Sequence, residues 1–325
     1  MRSRITGTGS AVPAKVLTNH DLEKMVDTSH EWIVTRTGIC ERRIAAEGEY
    51  TSTLCAAAAR QALAMAGRDV DQVDAIITAT ITPDFPFPAT ACVVQGELGA
   101  KRAFAFDISA ACSGFVYGLS LADSMIRSGN ARRVLVIGAE VLSRILDWTD
   151  RNTCVLFGDG AGAVLLEADD GDRGVLSTHL HSDGSNWNLL YQPGCGSRNP
   201  AVQRTIEEGL QYLNMNGNEI FKLAVRAMED AAQEALFANG MTIDDVSLFI
   251  PHQANRRIVD AIGRRLGVSE ERVFVNLDRY GNTSAASIPI ALDEAVRSGQ
   301  IRERDIVLFD AFGGGLTWAS ALLRW

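Results

Sequence analysis

The stretch A-F-D-I-S-A-A-C-S-G-F-V-Y-G, Ala105 to Gly118, changes period in its middle. The apolar residues up to Ile108 read as the end of a buried strand. Ser109, Ala110 and Ala111 are small. From Ser113 onward Phe115, Val116, Leu119 and Ala122 recur at helical spacing. Cys112 therefore stands where a strand turns into a helix. A helix start carries unpaired N–H groups and partial positive charge. That field pulls a thiol below its ordinary pKa of about 8.5 and makes thiolate available near neutrality. The small flanking residues let a substrate carbonyl approach the sulfur. Taken alone, Cys112 also fits a buried structural cysteine.

Outward from this stretch, helices and strands alternate. Residues 51–66 read as an alanine-rich helix ended by Gly67. Val73 to Ile77 reads as a strand, and Pro83, Pro86 and Pro88 break the chain into a loop over 83–88. A helix over about 89–98 leads to the strand Ala103–Ile108. The helix after Cys112 ends at Arg127-Ser-Gly-Asn130, and further strands stand at Arg133–Gly138 and Gly160–Glu167. The second half repeats this order. It runs helix Glu219–Ala238, strand Val246–Ile250, helix Arg257–Leu266, strand Arg272–Leu277 and the turn Tyr280-Gly-Asn-Thr-Ser284. A helix ending in Arg297-Ser-Gly-Gln300 and the strand Ile306–Asp310 complete it. Cys112 and Asn282 each lie 15 residues before an Arg-Ser-Gly, so counting makes them equivalent. A third junction, Ile250-Pro-His-Gln-Ala-Asn255, comes after the strand that matches Val73–Ile77. Two α/β units packed about a pseudo-twofold axis bring these turns to one site, at the strand ends where α/β sheets bind ligands.

Composition narrows the function. The chain has 325 residues, 46% of them apolar, enough for a large core. A net charge of −9 without a long basic run argues against nucleic-acid binding. No apolar stretch approaches the length of a membrane span, and the start shows no signal-peptide pattern. Cys40, Cys55, Cys92, Cys112, Cys154 and Cys195 contain no C-x-x-C pair. They read as reduced thiols of a cytoplasmic protein, not as a zinc site or a disulfide framework.

Cys112, His252 and Asn282 thus stand at three strand ends. A cysteine with a histidine points to covalent thioester or acyl chemistry. His252 alone also fits a structural histidine, and Asn282 alone a cap or turn residue. The segments A-A-C-S-G, P-H-Q-A-N, R-Y-G-N-T-S-A-A-S and A-F-G-G-G-L-T-W resemble the β-ketoacyl-[acyl-carrier-protein] synthase III family. D-T-S-H-E-W-I-V-T-R-T-G-I at 27–39 and F-G-D-G-A-G-A at 157–163 extend the likeness, which runs from residue 5 to Trp325.

The resemblance implies a thiolase-like fold: two similar α/β halves, 1–168 and 169–325, related by a pseudo-twofold in α-β-α-β-α layers, in a homodimer. It implies the initiating condensation of fatty acid synthesis. Cys112 takes the acyl group of acetyl-CoA or another short acyl-CoA. The N–H groups of Cys112 and Gly315 hold the oxyanion. His252 and Asn282 serve decarboxylation of malonyl-acyl carrier protein. Asparagine, not a second histidine, marks the CoA-primed branch. By the same resemblance Trp32 and Arg151 sandwich the CoA adenine, and Thr28, Arg36, Gly217, Asn218 and Asn255 contact pantetheine and phosphates. Phe87, Leu142, Phe157 and Leu189 shape the acyl pocket, Phe87 from the neighbouring subunit. Gln253, Ala254, Asn255, Arg256 and Arg257 form the carrier-protein docking face, which Arg264 and Arg265 extend. No metal and no cofactor are expected, since acyl-CoA is a substrate.

Gly158-Asp-Gly160-Ala-Gly162 mimics a dinucleotide fingerprint, but a strand and not a helix comes after it, so phosphate binding there is declined. The glycines are expected to let strands pack closely. The rival readings are a thioester-binding protein without catalysis, a thiol protease or redox protein, a chalcone-synthase-like enzyme and a condensing enzyme of secondary metabolism with a different primer.

Overall fold

The computed structural model describes residues 1–325. Two sheets carry the fold. The first contains β1 (Arg2–Ala11), β2 (Ala75–Ala79), β3 (Phe104–Ile108), β4 (Arg133–Glu140) and β5 (Gly160–Asp169), in the order β1-β5-β4-β2-β3. The second contains β6 (Gly174–Ser182), β7 (Leu248–Pro251), β8 (Ile306–Gly313) and β9 (Thr317–Arg324), in the order β7-β8-β9-β6. β2 lies parallel to β3 and β4, and β7 lies parallel to β8, while the remaining pairs are antiparallel. Read from its far edge, the second sheet repeats the first four strands of the first sheet. The sequence repeat is thus a repeat of topology.

The main helices are α1 (His30–Thr37), α2 (Thr51–Ala66), α3 (Thr90–Leu98), α4 (Gly114–Arg127), α5 (Gly217–Ala238), α6 (Arg256–Leu266) and α7 (Ser287–Arg297). Strands buried on both faces serve two layers at once. In β4, Val134 and Val136 join the central core while Leu135 and Ile137 join the outer one under α2 and α3. In β8, Val307 and Phe309 face the central core while Leu308 and Phe312 face α5 and α6. α4 and α7 lie between the sheets, burying Phe115, Leu119 and Ile126 against Ile288, Ala291 and Leu292. The layers are therefore α-β-α-β-α. No helix is long and apolar enough to cross a membrane.

One expected strand is absent. Residues 272–277 occupy the slot beside β7 that β3 fills beside β2, yet they make a single parallel bridge, Val273 to Phe249. The buried Gln253 side chain takes the place of a ladder: its Nε2 donates to the Phe274 carbonyl at 3.1 Å and its Oε1 accepts from the Asn276 N–H at 3.0 Å. A side-chain amide offers one donor and one acceptor edge, so pairing stops there. Leu277–Tyr280 then turns helically.

Of the glycines of 158–162, Gly160 and Gly162 let α7 pack onto β5, and Gly158 makes way for the Tyr280 carbonyl. A Cβ on Gly162 would stand 2.6 Å from the backbone nitrogen of Ile290 in α7. Gly138 is tighter: its Cβ would lie 2.1 Å from the Ala285 carbonyl oxygen. Gly138→Ala should destabilise the fold by at least ~2 kcal/mol through overpacking. Gly96, with nothing within 4 Å of a built Cβ, is the control. Gly96→Ala in mid-helix should add about 0.5–1 kcal/mol. Thermal or urea unfolding of the two variants checks both signs.

Candidate active site

Three turns converge on one cleft of about 720 Å³ lined by Cys112, His252, Asn282, Phe157, Phe312 and Asn255. A second cleft, of about 880 Å³, shares Cys112, Phe157 and Leu190 with it and is closed by Leu142, Ile145, Ile81 and Leu213. Cys112 stands where the two meet.

The cysteine turn begins with Ala111 in the left-handed region, at φ 45°. Next comes a 3-10 turn over Ala111–Ser113, and α4 starts at Gly114. The asparagine turn is built alike: Ser284 has φ 49°, a 3-10 turn spans Ser284–Ala286, and α7 starts at Ser287. Matching these two strained residues makes Ala285, not Asn282, the structural counterpart of Cys112. α4 has 14 residues and α7 has 11, so counting back from Arg-Ser-Gly misaligns the turns by that difference.

Asn282 is fixed on three sides. Its N–H donates to the Leu156 carbonyl at 2.8 Å and its carbonyl accepts from Gly158 at 3.0 Å. Its side-chain Oδ1 accepts from the Ser284 N–H at 2.8 Å. The Nδ2 donors stay free on the cleft. His252 lies in a buried turn beyond β7, its N–H on the Asp310 carbonyl at 2.8 Å. Its Nδ1 is 2.7 Å from the Ser287 Oγ, which also accepts from the Gln253 N–H at 3.3 Å. The Ser287 hydroxyl has no other acceptor, so it donates its hydrogen bond to Nδ1, which accepts. That assigns the hydrogen of the ring to Nε2. Burial holds the imidazole pKa down at about 3, so the ring is neutral.

Cys112 departs from expectation. The start of α4 lies beside it, yet burial pushes the thiol up to about 12. The nearby Ser284 hydroxyl pulls the other way, and the charge of Glu140 adds to the rise. The free protein therefore carries a thiol, not a thiolate. The Cys112, Gly314 and Gly315 N–H groups donate to no backbone carbonyl, and all three residues line the second cleft. The glycine turn thus offers Gly314 beside the expected Gly315 as a donor to an oxyanion.

At the mouth lie Trp32, Arg36, Gly217, Asn218, Asn255 and Arg257. Arg36 lies 4.4 Å from the Trp32 ring centre and Arg151 lies 5.2 Å from it. That spacing leaves no room for an intervening ring, and Arg151 is tethered to the Asp27 carbonyl at 2.9 Å. Thr28 presents a buried hydroxyl oxygen with no partner. Two expected contacts fall elsewhere. Leu190, not Leu189, lines the clefts: Leu189 ends the 3-10 turn Gly184–Leu189 and packs on the core under α5 and α6, while Leu190 opens the short extended pair Leu190–Tyr191. Gln253 is buried and saturated by Phe274 and Asn276, so it cannot meet a docked partner. Phe87 is exposed and lines neither cleft. All six cysteines are free.

Sequence reading missed Glu140. It ends β4 as a fully buried carboxylate accepting hydrogen bonds from Thr80, Ile81, Thr82 and Ser284. The only signal was a charged residue closing the apolar run Val134–Ala139.

A buried cysteine, a neutral histidine and an amide around an apolar-lined cleft on this layered fold define an acyl-transferring condensing enzyme of the thiolase class. The chain belongs to the β-ketoacyl-[acyl-carrier-protein] synthase III family. Residues 106–184 match the family profile "3-Oxoacyl-[acyl-carrier-protein (ACP)] synthase III", and residues 236–325 match its C-terminal counterpart. A β-ketoacyl-[acyl-carrier-protein] synthase III of Roseiflexus castenholzii is 60% identical over 99% of this chain and 97% of that protein. The crystal structure of the 3-oxoacyl-[acyl-carrier-protein] synthase III of Aquifex aeolicus has a TM-score of 0.93 at 52% identity, covering 99% of this chain and 100% of that one. The fold extends to the OleA H285A protein of Xanthomonas campestris, at 19% identity and a TM-score of 0.87, covering 100% of this chain and 99% of that one.

The raised thiol pKa has a direct readout. Iodoacetamide labelling of Cys112, mapped by peptide, should climb about tenfold per pH unit above neutrality, as the thiolate fraction does. A plateau by about pH 8 would mean that the helix start outweighs burial.

Proposed function

We propose that the chain condenses a short acyl-CoA, acetyl-CoA first, with malonyl-acyl carrier protein to give 3-ketoacyl-acyl carrier protein, CoA and CO₂. The observation that carries this reading is the pair of donor sets around one sulfur. The Cys112 sulfur attacks the thioester carbonyl, and its proton ends on the departing CoA sulfur. The oxyanion accepts from the Cys112 N–H and from the glycine turn, by resemblance Gly315. Malonyl thioester then loses CO₂, and the electron pair of the broken C–C bond moves onto its thioester oxygen. His252 Nε2–H and Asn282 Nδ2–H face the cleft where that charge develops. The enolate carbon attacks the acyl-cysteine and restores the sulfur. Decarboxylation generates the carbanion, so the reading needs no strong base, metal or redox cofactor.

The surroundings support the rest. Trp32, Arg36, Arg151, Thr28, Gly217, Asn218 and Asn255 hold CoA and pantetheine, with Arg151 swinging off Trp32 to admit the adenine. Leu142 and Phe157 bound the acyl pocket. Arg256 and Arg265 are neutralised by Asp260 and Glu229, leaving Arg257 and Arg264 without carboxylate partners. Free cations on an acidic protein suit an acidic carrier. The outer edge of β3 is unpaired, and Phe85, Phe87 and Phe104 are 53%, 86% and 47% exposed. An open apolar strand edge invites another chain, and a second copy there carries Phe87 to its neighbour's acyl pocket. The division at 168/169 separates the two duplicated halves. A second reading is supported by similarity to the priming β-ketosynthase of the R1128 polyketide pathway, 38% identical with a TM-score of 0.92. A panel of acyl-CoAs tells the two apart by the mass that Cys112 retains.

The test separates the half-reactions. Cys112→Ala should abolish condensation yet keep slow malonyl decarboxylation. His252→Ala and Asn282→Ala should still acquire the acyl group, but release CO₂ about 10²–10³-fold more slowly, the usual cost of one lost donor. Intact-protein mass and labelled CO₂ report the two steps. If His252→Ala fails to acylate while decarboxylating normally, His252 is instead the base for the thiol.

A further inference from the structure

Glu140 is the one fully buried carboxylate around the cleft that the condensation chemistry does not use and that is saturated with hydrogen bonds. No cation pairs with it. Its Oε2 accepts from the Thr80 hydroxyl at 3.1 Å, the Ile81 and Thr82 N–H groups at 3.1 Å each, and the Thr82 hydroxyl at 2.6 Å. Its Oε1 accepts from the Ser284 hydroxyl at 3.1 Å, across 144 residues of sequence, and more distantly from the shared Ile81 N–H at 3.3 Å. Burying a carboxylate without a cation is costly unless its hydrogen bonds are complete. Here they are complete, but only because two distant segments both supply donors. The Thr80–Thr82 side needs no carboxylate on purely local grounds, since a backbone carbonyl could terminate it. The Ser284 side is what joins Glu140 to the chemistry.

Ser284 sits at φ 49°, a conformation that non-glycine residues hold only when the surroundings fix it. Its N–H donates to Asn282 Oδ1 at 2.8 Å. That bond decides which edge of the Asn282 amide meets the cleft. With Oδ1 engaged, Nδ2 faces inward and can donate. Rotated by half a turn, the amide would present an acceptor to the developing enolate and repel it. Ser284 and Ile81 also line the acyl cleft, so the same carboxylate ties the acyl-pocket wall to the asparagine turn.

We infer that Glu140 is a positioning residue for decarboxylation: through the Ser284 hydroxyl it locks the left-handed Ser284 turn, and the Ser284 N–H in turn holds the Asn282 amide with its donor edge toward the malonyl thioester oxygen. The inference rests on the proposed role of Asn282 as a donor to that oxygen. Burial pushes the Glu140 carboxyl up to about 7 while its donors counter the rise. Donors on every side of it match the ionised form.

The experiment is a double-mutant cycle on the full chain. Ser284→Ala removes one arm and leaves the Thr80–Thr82 bonds intact, while Glu140→Gln removes the charge at constant shape. Decarboxylation is read as labelled CO₂ in the Cys112→Ala background, and acylation as intact mass on chains that keep Cys112. Each variant should lose about tenfold to hundredfold in decarboxylation, the scale of a misplaced reacting group. In Glu140→Gln the loss in acylation should be clearly smaller, since Asn282 has no part in that step; Ser284→Ala also removes the hydroxyl beside the Cys112 sulfur, so only its decarboxylation is compared. The double variant should be no slower than the slower single one, because both cut the same link. Equal losses in both half-reactions of Glu140→Gln, additive losses or undiminished decarboxylation overturn the inference. If Glu140→Gln does not fold, decarboxylation by Ser284→Ala in the Cys112→Ala background decides alone, since no sulfur is present there for the hydroxyl to touch: a loss supports the inference and an undiminished rate overturns it. Asn282→Ala is the control: normal decarboxylation there sinks the role of Asn282 itself, whereas its loss beside an unaffected Ser284→Ala sinks only that of Glu140.

Discussion

The Ala285 carbonyl rests against the face of Gly138, where any Cβ would stand 2.1 Å from the oxygen. The rest of the site depends on that approach. It brings the turn before α7 down onto β4, next to the end of the strand where Glu140 stands. Gly114, the first residue of α4, completes the contact: a Cβ there would meet Ala285 at 3.4 Å and Ala79 at 2.9 Å. Two helix starts from opposite halves of the chain therefore meet almost backbone to backbone. Cys112 lies just before one and Asn282 just before the other. The strained residues Ala111 and Ser284 are the local cost of starting a helix in so little space.

That packing also buries the site, and burial sets its acid–base behaviour. Burial pushes Cys112 up to about 12 and His252 down to about 3, in each case against the charged form. The resting site holds a thiol and a neutral imidazole, not an ion pair. A neutral ring with its proton on Nε2 is a donor, which suits an enolate and not the capture of a thiol proton. Fixed N–H groups act most strongly on charge that develops in such surroundings. Cys112, Gly314 and Gly315, whose N–H groups are free, line the second cleft, and His252 and Asn282 line the first; the proposed reading makes these the acyl side and the malonyl side. One sulfur can then serve two steps whose charges appear in different places.

Much of this was legible in the sequence because it is local. Alanine-rich spacing and Gly67 place α2 at Thr51–Ala66, and the shift of period at Cys112 marks the nucleophile turn. The duplicated order of elements became a duplicated strand order. What failed is what depends on contacts distant in sequence. The run 272–277 has strand composition, but the Gln253 side chain replaced its neighbour's backbone. The thiol shift depends on burial from every direction, which no helix start reveals. Leu190 displaces Leu189 because the chain passes from a 3-10 turn to extended backbone between them, a change that no local motif marks. Glu140 draws its donors from residues 80–82 and 284, so its role has no motif.

The central claim is that acyl transfer and decarboxylation use separate donor sets on either side of Cys112. A crystal structure of the protein acetylated on Cys112 tests it most directly. The account predicts the acetyl oxygen within hydrogen-bond distance of the Cys112 N–H and of Gly314 or Gly315, with His252 Nε2 and Asn282 Nδ2 left free on the cleft. An acetyl oxygen bound instead by His252 and Asn282 would contradict it, because one donor set would then serve both steps.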